Sequence, residues 1–320
     1  MTAIPAIPLL PVTPTAPAAS TATATGATGE EVDYAAAPSE IEFDKDEGGT
    51  PPPALYEHSA VATGIPGFES VGEEAVDFYK TYGYLVVDDA FAPGEVETAL
   101  AGLMYLIEGN RPDFRGIQYE GAVRKTLHTI PLEKRQDYVR KLISYVDYEE
   151  RLKALSEHPT LLGAVTRLIG EAPALFANQA LLKPPLVGRE KPWHQDHAYF
   201  NLPMGTPIIG CWIALDHAVP ENGCMHVVPG THHDGPVVHF RRRDWQICDD
   251  QVQVGKIMAV PLRPGGILFF DGLLHHGTPP TTSVIRRRAL QFHYCPASVA
   301  RITAEERLKV FGSEGKNVTC

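Results

Sequence analysis

The sequence predicts an α+β fold in which helices pack against a jelly-roll core (a double-stranded β-helix) formed by the C-terminal half. Two observations lead to this prediction. Apolar residues recur at helical spacing up to about residue 170, whereas from about residue 174 short β-type runs alternate with turns rich in proline and glycine. No internal repeat is visible, and residues 56–320 are expected to form one domain.

The first 55 residues differ in composition from the rest of the chain. They are rich in alanine, proline and threonine, are nearly free of aromatic residues, and include three consecutive prolines at 51–53. Such a segment buries too little apolar surface to offset its ordering entropy, so residues 1–55 are predicted to be a disordered tail. The alternative is that the tail docks a partner, in which case its deletion would abolish function.

The predicted helical part covers residues 68–172. Ser70 and Glu73 match the capping-box pattern that begins a helix, and apolar residues follow at helical spacing. A second helix is predicted to begin near Pro93, because proline suits the first helical turn. Residues 133–170 are predicted to be helical in two or three pieces.

The predicted jelly-roll core covers residues 173–300. Turn sequences such as Glu-Asn-Gly at 221–223 and Pro-Gly-Gly at 264–266 separate its β-type runs. One further strand is predicted at 84–87, between the first two helices. The core strands are predicted at residues 174–183, 207–215, 224–229, 252–260, 266–270 and 287–295.

Charge and cysteine content argue against several classes of protein. With 28 Lys and Arg against 39 Asp and Glu, the formal net charge is −11, which disfavours binding to nucleic acids and to anionic membranes. No apolar run has the roughly 18–20 residues that a membrane span needs. The five cysteines are odd in number and include no CxxC pair, which fits a reduced protein better than a disulfide scaffold.

The beginning of the chain lacks the features of targeting sequences. Its first basic residue is Lys45, whereas a secretory signal needs an early positive charge and a mitochondrial transit peptide needs arginine. The sequence therefore predicts a cytoplasmic protein. It predicts no particular oligomeric state.

The strongest local signal is the segment His194-Gln195-Asp196, which predicts a metal site. Side chains alternate in an extended segment, so those of His194 and Asp196 are expected on the same side. Two imidazoles and one carboxylate make up the facial triad of non-haem iron(II) oxygenases, which leaves coordination positions open. His276, which follows an apolar run and precedes Gly277, is the candidate for the second imidazole.

A His-x-Asp pattern alone is weak evidence, because such residues more often have a structural role. Arg287 strengthens the metal hypothesis. It lies on the predicted strand 287–295, where it shares one face with Gln291 and His293. An arginine on an inward face needs an anion, because an unpaired buried charge is costly. Either a small organic acid or an Asp or Glu of the chain itself would satisfy it.

The motifs of residues 175–295 together resemble the phytanoyl-CoA dioxygenase family of iron(II)/2-oxoglutarate oxygenases. Their order and spacing are specific, and a looser likeness extends back to about residue 70. The matching segments are 182–185 (LKPP), 193–196 (WHQD), 211–215 (CWIAL), 221–224 (ENGC), 229–232 (PGTH), 274–278 (LHHGT) and 287–289 (RRA).

The resemblance implies roles for individual residues. His194, Asp196 and His276 match the iron ligands. The family's distal histidine directly precedes the glycine, which favours His276 over His275. Arg287 matches the arginine that binds the distal carboxylate of 2-oxoglutarate. The other residues implied to contact the co-substrate are Trp212, Gln179, Thr278 (as a hydroxyl group beside the arginine) and Lys125.

The implied activity is hydroxylation with Fe(2+), 2-oxoglutarate and O2, with release of succinate and CO2. Related halogenases have a small residue in place of the carboxylate, so Asp196 implies hydroxylation and not halogenation. The chain has no basic groove for the phosphates of CoA, which favours a small organic or natural-product substrate. The alternative is a non-catalytic or isomerase-type jelly roll that keeps the metal as a structural or Lewis-acid centre.

Overall fold

The structure is a computed structural model that describes residues 42–44 and 49–312 of the chain. All of these residues lie in one compact unit. The parts of the predicted tail at 1–41 and 45–48 lie outside the described residues, so the prediction of disorder is not tested there.

The predicted tail boundary at residue 55 is wrong. Glu42–Phe43 forms a strand beside Ile117–Tyr119, and Pro53–Tyr56 forms a short 3-10 helix. Leu55 in that helix is buried, and its carbonyl accepts a hydrogen bond from the indole N–H of Trp193. Apolar burial and hydrogen bonds to distant segments offset the ordering entropy here, which local composition does not reveal.

The order of elements follows the sequence prediction, with most helices before residue 170 and most strands after it. Helices α1–α6 are Glu73–Tyr82, Pro93–Ile107, Leu132–Arg135, Glu150–Ser156, Pro159–Ile169 and Ala304–Phe311. Strands β1–β8 are Glu42–Phe43, Ala60–Val61, Ile65–Pro66, Tyr84–Asp88, Ile117–Tyr119, Val139–Ile143, Pro173–Lys183 and Lys191–His194. Strands β9–β16 are Ile209–Ala214, Met225–Val227, His239–Arg241, Trp245–Ile247, Met258–Val260, Ile267–Asp271, His276–Thr278 and Arg287–Pro296.

Two facing sheets form the predicted jelly roll. The larger sheet has the order β1-β5-β6-β7-β16-β9-β14-β4-β3, and the smaller has the order β2-β13-β10-β15-β8. One cluster of buried side chains joins the two sheets, with Trp212 and Leu268 from the larger and Val227 and Ala259 from the smaller. The predicted α+β class with a jelly-roll core is therefore confirmed.

Strand β16 gives the larger sheet two different faces. Leu290 and Phe292 pack into the apolar core that the helices cover. Arg287, Gln291 and His293 alternate with them and are buried on the side that faces the smaller sheet. This alternation follows from the period of two in a strand, and it places polar side chains inside the jelly roll.

Three local predictions differ from the structure. Residues 133–170 contain three helical pieces (α3, α4 and α5), as predicted, but β6 interrupts them and pairs with both β5 and β7. Ser70 forms no capping box, since α1 begins after Gly72 without a side-chain cap. The strand predicted at 252–260 is reduced to β13. For β6, pairing with distant strands outweighs the helical propensity of the segment.

Two further predictions concern disulfide bonds and membrane-spanning helices. Cys211, Cys224 and Cys295 are free and buried, but Cys248 is disulfide-bonded, so the prediction of a reduced protein is wrong at that residue. Among the residues that the structure describes, no helix has the length and apolar character needed to cross a membrane.

Candidate metal centre

Two neighbouring strands bring together the three residues predicted to bind metal. His194 ends β8 and pairs with His276 at the start of β15, its antiparallel neighbour. Gln195 keeps an extended backbone (φ −113°, ψ 130°), so Asp196 falls on the same side as His194 before the chain turns into a 3-10 helix. The alternation of side chains along a strand predicted that His194 and Asp196 lie on one side, and the pairing of β8 with β15 adds His276.

The ligand atoms of these three buried residues lie within 4.8 Å of one another. Nε2 of His194 is 3.3 Å and Nε2 of His276 is 3.5 Å from Oδ1 of Asp196. The two imidazole centroids are 4.2 Å apart. Within residues 42–44 and 49–312, this is the one group of three or more such side chains with the spacing of a metal site.

Backbone hydrogen bonds hold both imidazoles in the tautomer that a metal requires. Nδ1 of His194 donates to the carbonyl of Pro192 (2.7 Å), and Nδ1 of His276 donates to the carbonyl of Leu274 (2.9 Å). Each Nε2 therefore presents a lone pair towards Oδ1 of Asp196. Lone pairs that converge in a buried place repel one another unless a cation lies between them, and this mixed nitrogen and oxygen donor set suits iron(II).

The protonation states agree with a cation site. Burial, and then the neighbouring His276, lowers the pKa of His194 to about 4, so its imidazole is neutral at neutral pH. Burial raises the pKa of Asp196, but His276, His293 and hydrogen bonds to the carboxylate outweigh it, and the pKa lies well below its usual range. Neutral imidazole and ionised carboxylate are the forms that bind a metal.

Two residues of β16 hold the other carboxylate oxygen of Asp196. Its Oδ2 is 2.7 Å from Nε2 of His293 and 3.2 Å from the side-chain amide of Gln291. The sequence placed both residues on the face of Arg287, but their contact with Asp196 was not predicted. That shared face was the available signal, and the identity of their partner depends on the folded chain.

Arg287 is buried at the start of β16 without a carboxylate partner. It donates to the carbonyls of Leu181 (2.8 Å) and Gly223 (3.1 Å), and its guanidinium lies 5.3 Å from the ring centroid of Trp212. Within the described part of the chain its Nε has no hydrogen-bond partner, and no Asp or Glu forms an ion pair with it. Burial lowers its pKa to about 10. These surroundings suit an arginine that receives an anionic ligand.

Trp212 and Gln179 flank β16 at the level of Gln291. Gln291 pairs with Gln179 on β7 and with Trp212 on β9, so the three residues form one row across the inner face. Trp212 is fully buried, and its indole N–H has no partner among the described residues. An unpaired buried donor beside Arg287 is consistent with a polar ligand in this space.

Thr278 lies in the same strand as His276 and is buried. Its hydroxyl oxygen accepts a hydrogen bond from the backbone N–H of Lys191 (3.3 Å). The described hydrogen bonds do not link it to Arg287, so its role beside the arginine stays a prediction.

The two lysines near the site differ in their surroundings. Lys125 is exposed on a turn, and no described contact links it to the metal cluster, so its role stays a prediction. Lys141 on β6 pairs with Leu181 of β7 and lies on the inner face. Burial, and then repulsion by Lys191, lowers the pKa of Lys141 to about 8, and no described residue forms an ion pair with it. Lys141 was missed because residues 133–170 were predicted to be helical.

Known proteins resemble both the sequence and the fold. The chain is 28% identical over 162 residues to phytanoyl-CoA dioxygenase domain-containing protein 1 of Danio rerio, covering 46% of this chain and 53% of that protein. It is 32% identical over 146 residues to L-proline trans-4-hydroxylase of Streptomyces griseoviridis, covering 42% of this chain and 54% of that protein. The chain thus spans about half the length of these curated relatives.

A solved structure shows the same fold. The non-haem α-ketoglutarate-dependent carbocyclase SnoK from nogalamycin biosynthesis matches with a TM-score of 0.58 at 23% identity, over 75% of this chain and 90% of that chain.

The family model for phytanoyl-CoA dioxygenase matches residues 79–289, which include the three clustered residues and Arg287. This match confirms the resemblance and the cofactor set that it implied, Fe(2+), 2-oxoglutarate and O2. The chain belongs to the phytanoyl-CoA dioxygenase family.

Proposed function

We propose that this chain is an Fe(2+)- and 2-oxoglutarate-dependent dioxygenase that hydroxylates a small organic or natural-product substrate. The observation that carries the proposal is the convergence of His194, Asp196 and His276 inside a jelly roll that also buries Arg287 without a carboxylate partner. A jelly roll that only bound a metal would have no need of that arginine. The likeness to L-proline trans-4-hydroxylase supports hydroxylation as the outcome.

In this proposal His194, Asp196 and His276 hold the iron. Three protein ligands leave coordination positions for the co-substrate and for O2. The chemistry that bound iron supplies is O2 activation coupled to oxidative decarboxylation of 2-oxoglutarate, which yields succinate, CO2 and one oxygen atom for the substrate. The backbone carbonyls that accept from both Nδ1 atoms keep the imidazoles oriented before any ligand arrives.

Arg287 is proposed to bind the distal carboxylate of 2-oxoglutarate. Its Nε and the remaining guanidinium protons offer a rigid donor fork, and Trp212 restricts its orientation by packing against it. Gln179 lies on β7, between β6 and β16, and we propose that it lines the space that 2-oxoglutarate occupies. Lys141 carries the further positive charge on this face that suits a dianionic co-substrate.

The presence of Asp196 supports hydroxylation over halogenation, because its carboxylate fills the position that a halide would need. Cyclisation is the outcome named for SnoK, which shares the fold. The two outcomes differ in the product, since hydroxylation adds one oxygen atom to the substrate and cyclisation does not.

The experiment is to incubate the purified chain with Fe(II), ascorbate, 2-oxoglutarate and a panel of small organic acids and natural products in air. Succinate formation and a product with one added oxygen atom, measured by mass spectrometry, are expected for a substrate. The His276→Ala variant is the control without a complete site. Metal binding without succinate for any compound would support the non-catalytic or isomerase-type alternative.

The acidic net charge, with basic runs of no more than three arginines, supports a small-molecule substrate and no nucleic-acid or anionic-membrane partner. We expect removal of residues 1–41 to leave turnover unchanged. Loss of turnover in that truncated chain would instead support a docking role for the N-terminal segment.

A further inference from the structure

The two oxygens of the Asp196 carboxylate have different surroundings. Oδ1 faces Nε2 of His194 and Nε2 of His276, at 3.3 Å and 3.5 Å. Oδ2 faces away from them and is 2.7 Å from Nε2 of His293 and 3.2 Å from Nε2 of Gln291. One oxygen is thus directed to the proposed metal, and the other is bound by the protein.

The hydrogen bonds determine which nitrogen of His293 carries the proton. If Nε2 lacked a proton, two lone pairs would meet across the 2.7 Å contact with Oδ2 of Asp196, so Nε2 must be the donor. The amide of Gln291 donates to the same oxygen, and its nitrogen is 3.0 Å from Nε2 of His293. That last contact joins two donors that share one acceptor.

Packing holds His293 in place. Its side chain is fully buried, and its ring centroid lies 4.7 Å from that of Phe200 and 6.0 Å from that of Phe176. The β7–β16 register shifts between His293 and Tyr294, and such irregularities redirect side chains near functional sites. Nδ1 of His293 has no hydrogen-bond partner among the described residues, so the contact with Asp196 is the polar interaction that explains a histidine here.

We propose that His293 and Gln291 are positioning residues that hold Asp196 as a one-oxygen metal ligand. With Oδ2 bound by two donors, the carboxylate has only Oδ1 to offer to a metal. Without them, the carboxylate is free to rotate and bind through both oxygens, which would occupy a coordination position needed for the co-substrate or O2. This inference rests on the metal site of the proposed function.

The experiment measures metal binding directly. Equilibrium dissociation constants for Mn(II), and the visible absorption spectrum with Co(II), are compared for the wild type, His293→Leu and His293→Gln. Loss of a residue that hydrogen-bonds a metal ligand typically weakens metal binding by roughly 10- to 100-fold. We expect a loss of this size for His293→Leu, together with a changed Co(II) spectrum. His293→Gln keeps an N–H donor near the position of Nε2, and we expect it to restore most of the affinity and the wild-type spectrum.

The matched control is His226→Leu, because His226 is also a fully buried histidine with an unpartnered ring nitrogen among the described residues, but it contacts none of the proposed ligands. It should leave the Mn(II) affinity and the Co(II) spectrum unchanged. If His293→Leu does not fold, Gln291→Leu removes the weaker donor and should give a smaller loss in the same direction.

The outcomes separate this inference from the function on which it rests. If the wild type binds neither metal, the proposed function itself fails. If the wild type binds but His293→Leu matches it in affinity and spectrum, the positioning role is wrong. An equal loss in His226→Leu, or no recovery in His293→Gln, would also overturn it, because the effect would then be one of general packing.

Discussion

The two ends of the inner face of β16 differ in how far the chain itself pairs the polar groups that would bind a ligand. At the end near Asp196, hydrogen bonds within the chain orient all three proposed ligands: His293 and Gln291 bind Oδ2 of Asp196, and Nδ1 of His194 and Nδ1 of His276 donate to backbone carbonyls. At the start of the strand, Nε of Arg287 has no partner among the described residues, and neither has the indole N–H of Trp212, whose ring packs against that guanidinium.

This difference indicates that the metal end is organised by the chain itself, whereas the arginine end is incomplete without an anion. An unsatisfied buried polar group costs about 1–3 kcal/mol, so a ligand that pairs with Arg287 recovers part of that free energy. We therefore expect the metal to bind without 2-oxoglutarate, and 2-oxoglutarate to stabilise the arginine end. Substitutions at each end should therefore affect either metal binding or 2-oxoglutarate binding.

The largest effect is expected at the metal end. His276→Ala removes one of the three proposed ligands and should weaken Fe(II) binding by more than roughly 100-fold and abolish succinate formation. His275→Ala is the matched control, because His275 is the sequence neighbour and is also buried. Isothermal titration of Mn(II) measures the affinities. If His275→Ala lost the metal and His276→Ala kept it, the assignment of the distal ligand would be wrong.

At the arginine end, Arg287→Gln should raise the dissociation constant for 2-oxoglutarate by roughly 10- to 100-fold, because a charged hydrogen bond to the distal carboxylate is lost. Metal affinity should be unchanged. Arg288→Gln is the control, since Arg288 lies on the opposite face and pairs with Asp216. Anaerobic titration with 2-oxoglutarate measures its dissociation constant for each variant. Equal effects of the two substitutions would remove the special role of Arg287.

A comparison of two lysines tests a position that the sequence missed. Lys141→Met removes a positive charge from the inner face and should weaken 2-oxoglutarate binding by about 5-fold, as for a partly exposed ion pair. Lys125→Met should have no effect, because Lys125 is exposed and no described contact links it to the cluster. The same titration measures both. A loss confined to Lys125→Met would restore the role that the sequence predicted for it.

The last expected effect is on stability and not on affinity, and it comes from the turn that supports Arg287. Gly223 has φ +83°, and a Cβ there would collide with the side chain of Lys183 and lie 2.9 Å from the carbonyl oxygen of Pro279. Gly223→Ala should lower the free energy of unfolding by about 1–3 kcal/mol, measured by urea denaturation. Gly255→Ala is the control, since Gly255 has open space and no positive φ. Equal stability of the two variants would show that the turn tolerates a side chain.

The parts of the site that follow from local chain geometry were predictable from the sequence. An extended segment places His194 and Asp196 on one side, and the period of β16 places Arg287, Gln291 and His293 on one face. The choice of His276 over His275 came from the family resemblance, and the structure places His276 in the cluster.

The parts that depend on pairing between distant strands were not predictable. Lys141 reaches the inner face only because β6 pairs with β7, although the surrounding segment has a helical pattern. The contact of His293 with Asp196 depends on the packing of β16 against the segment that follows β8, which contains Asp196. Leu55 is buried by segments far along the sequence, which composition alone does not reveal.

The most direct test of the account is the visible absorption spectrum of the purified chain with one equivalent of Fe(II), recorded anaerobically before and after 2-oxoglutarate is added. A weak charge-transfer band should appear on addition if, as proposed, 2-oxoglutarate chelates iron held by His194, Asp196 and His276. The band should require more 2-oxoglutarate in Arg287→Gln and be absent in His276→Ala. If the wild type gives no band although Fe(II) is bound and 2-oxoglutarate is in excess, the proposed site is wrong.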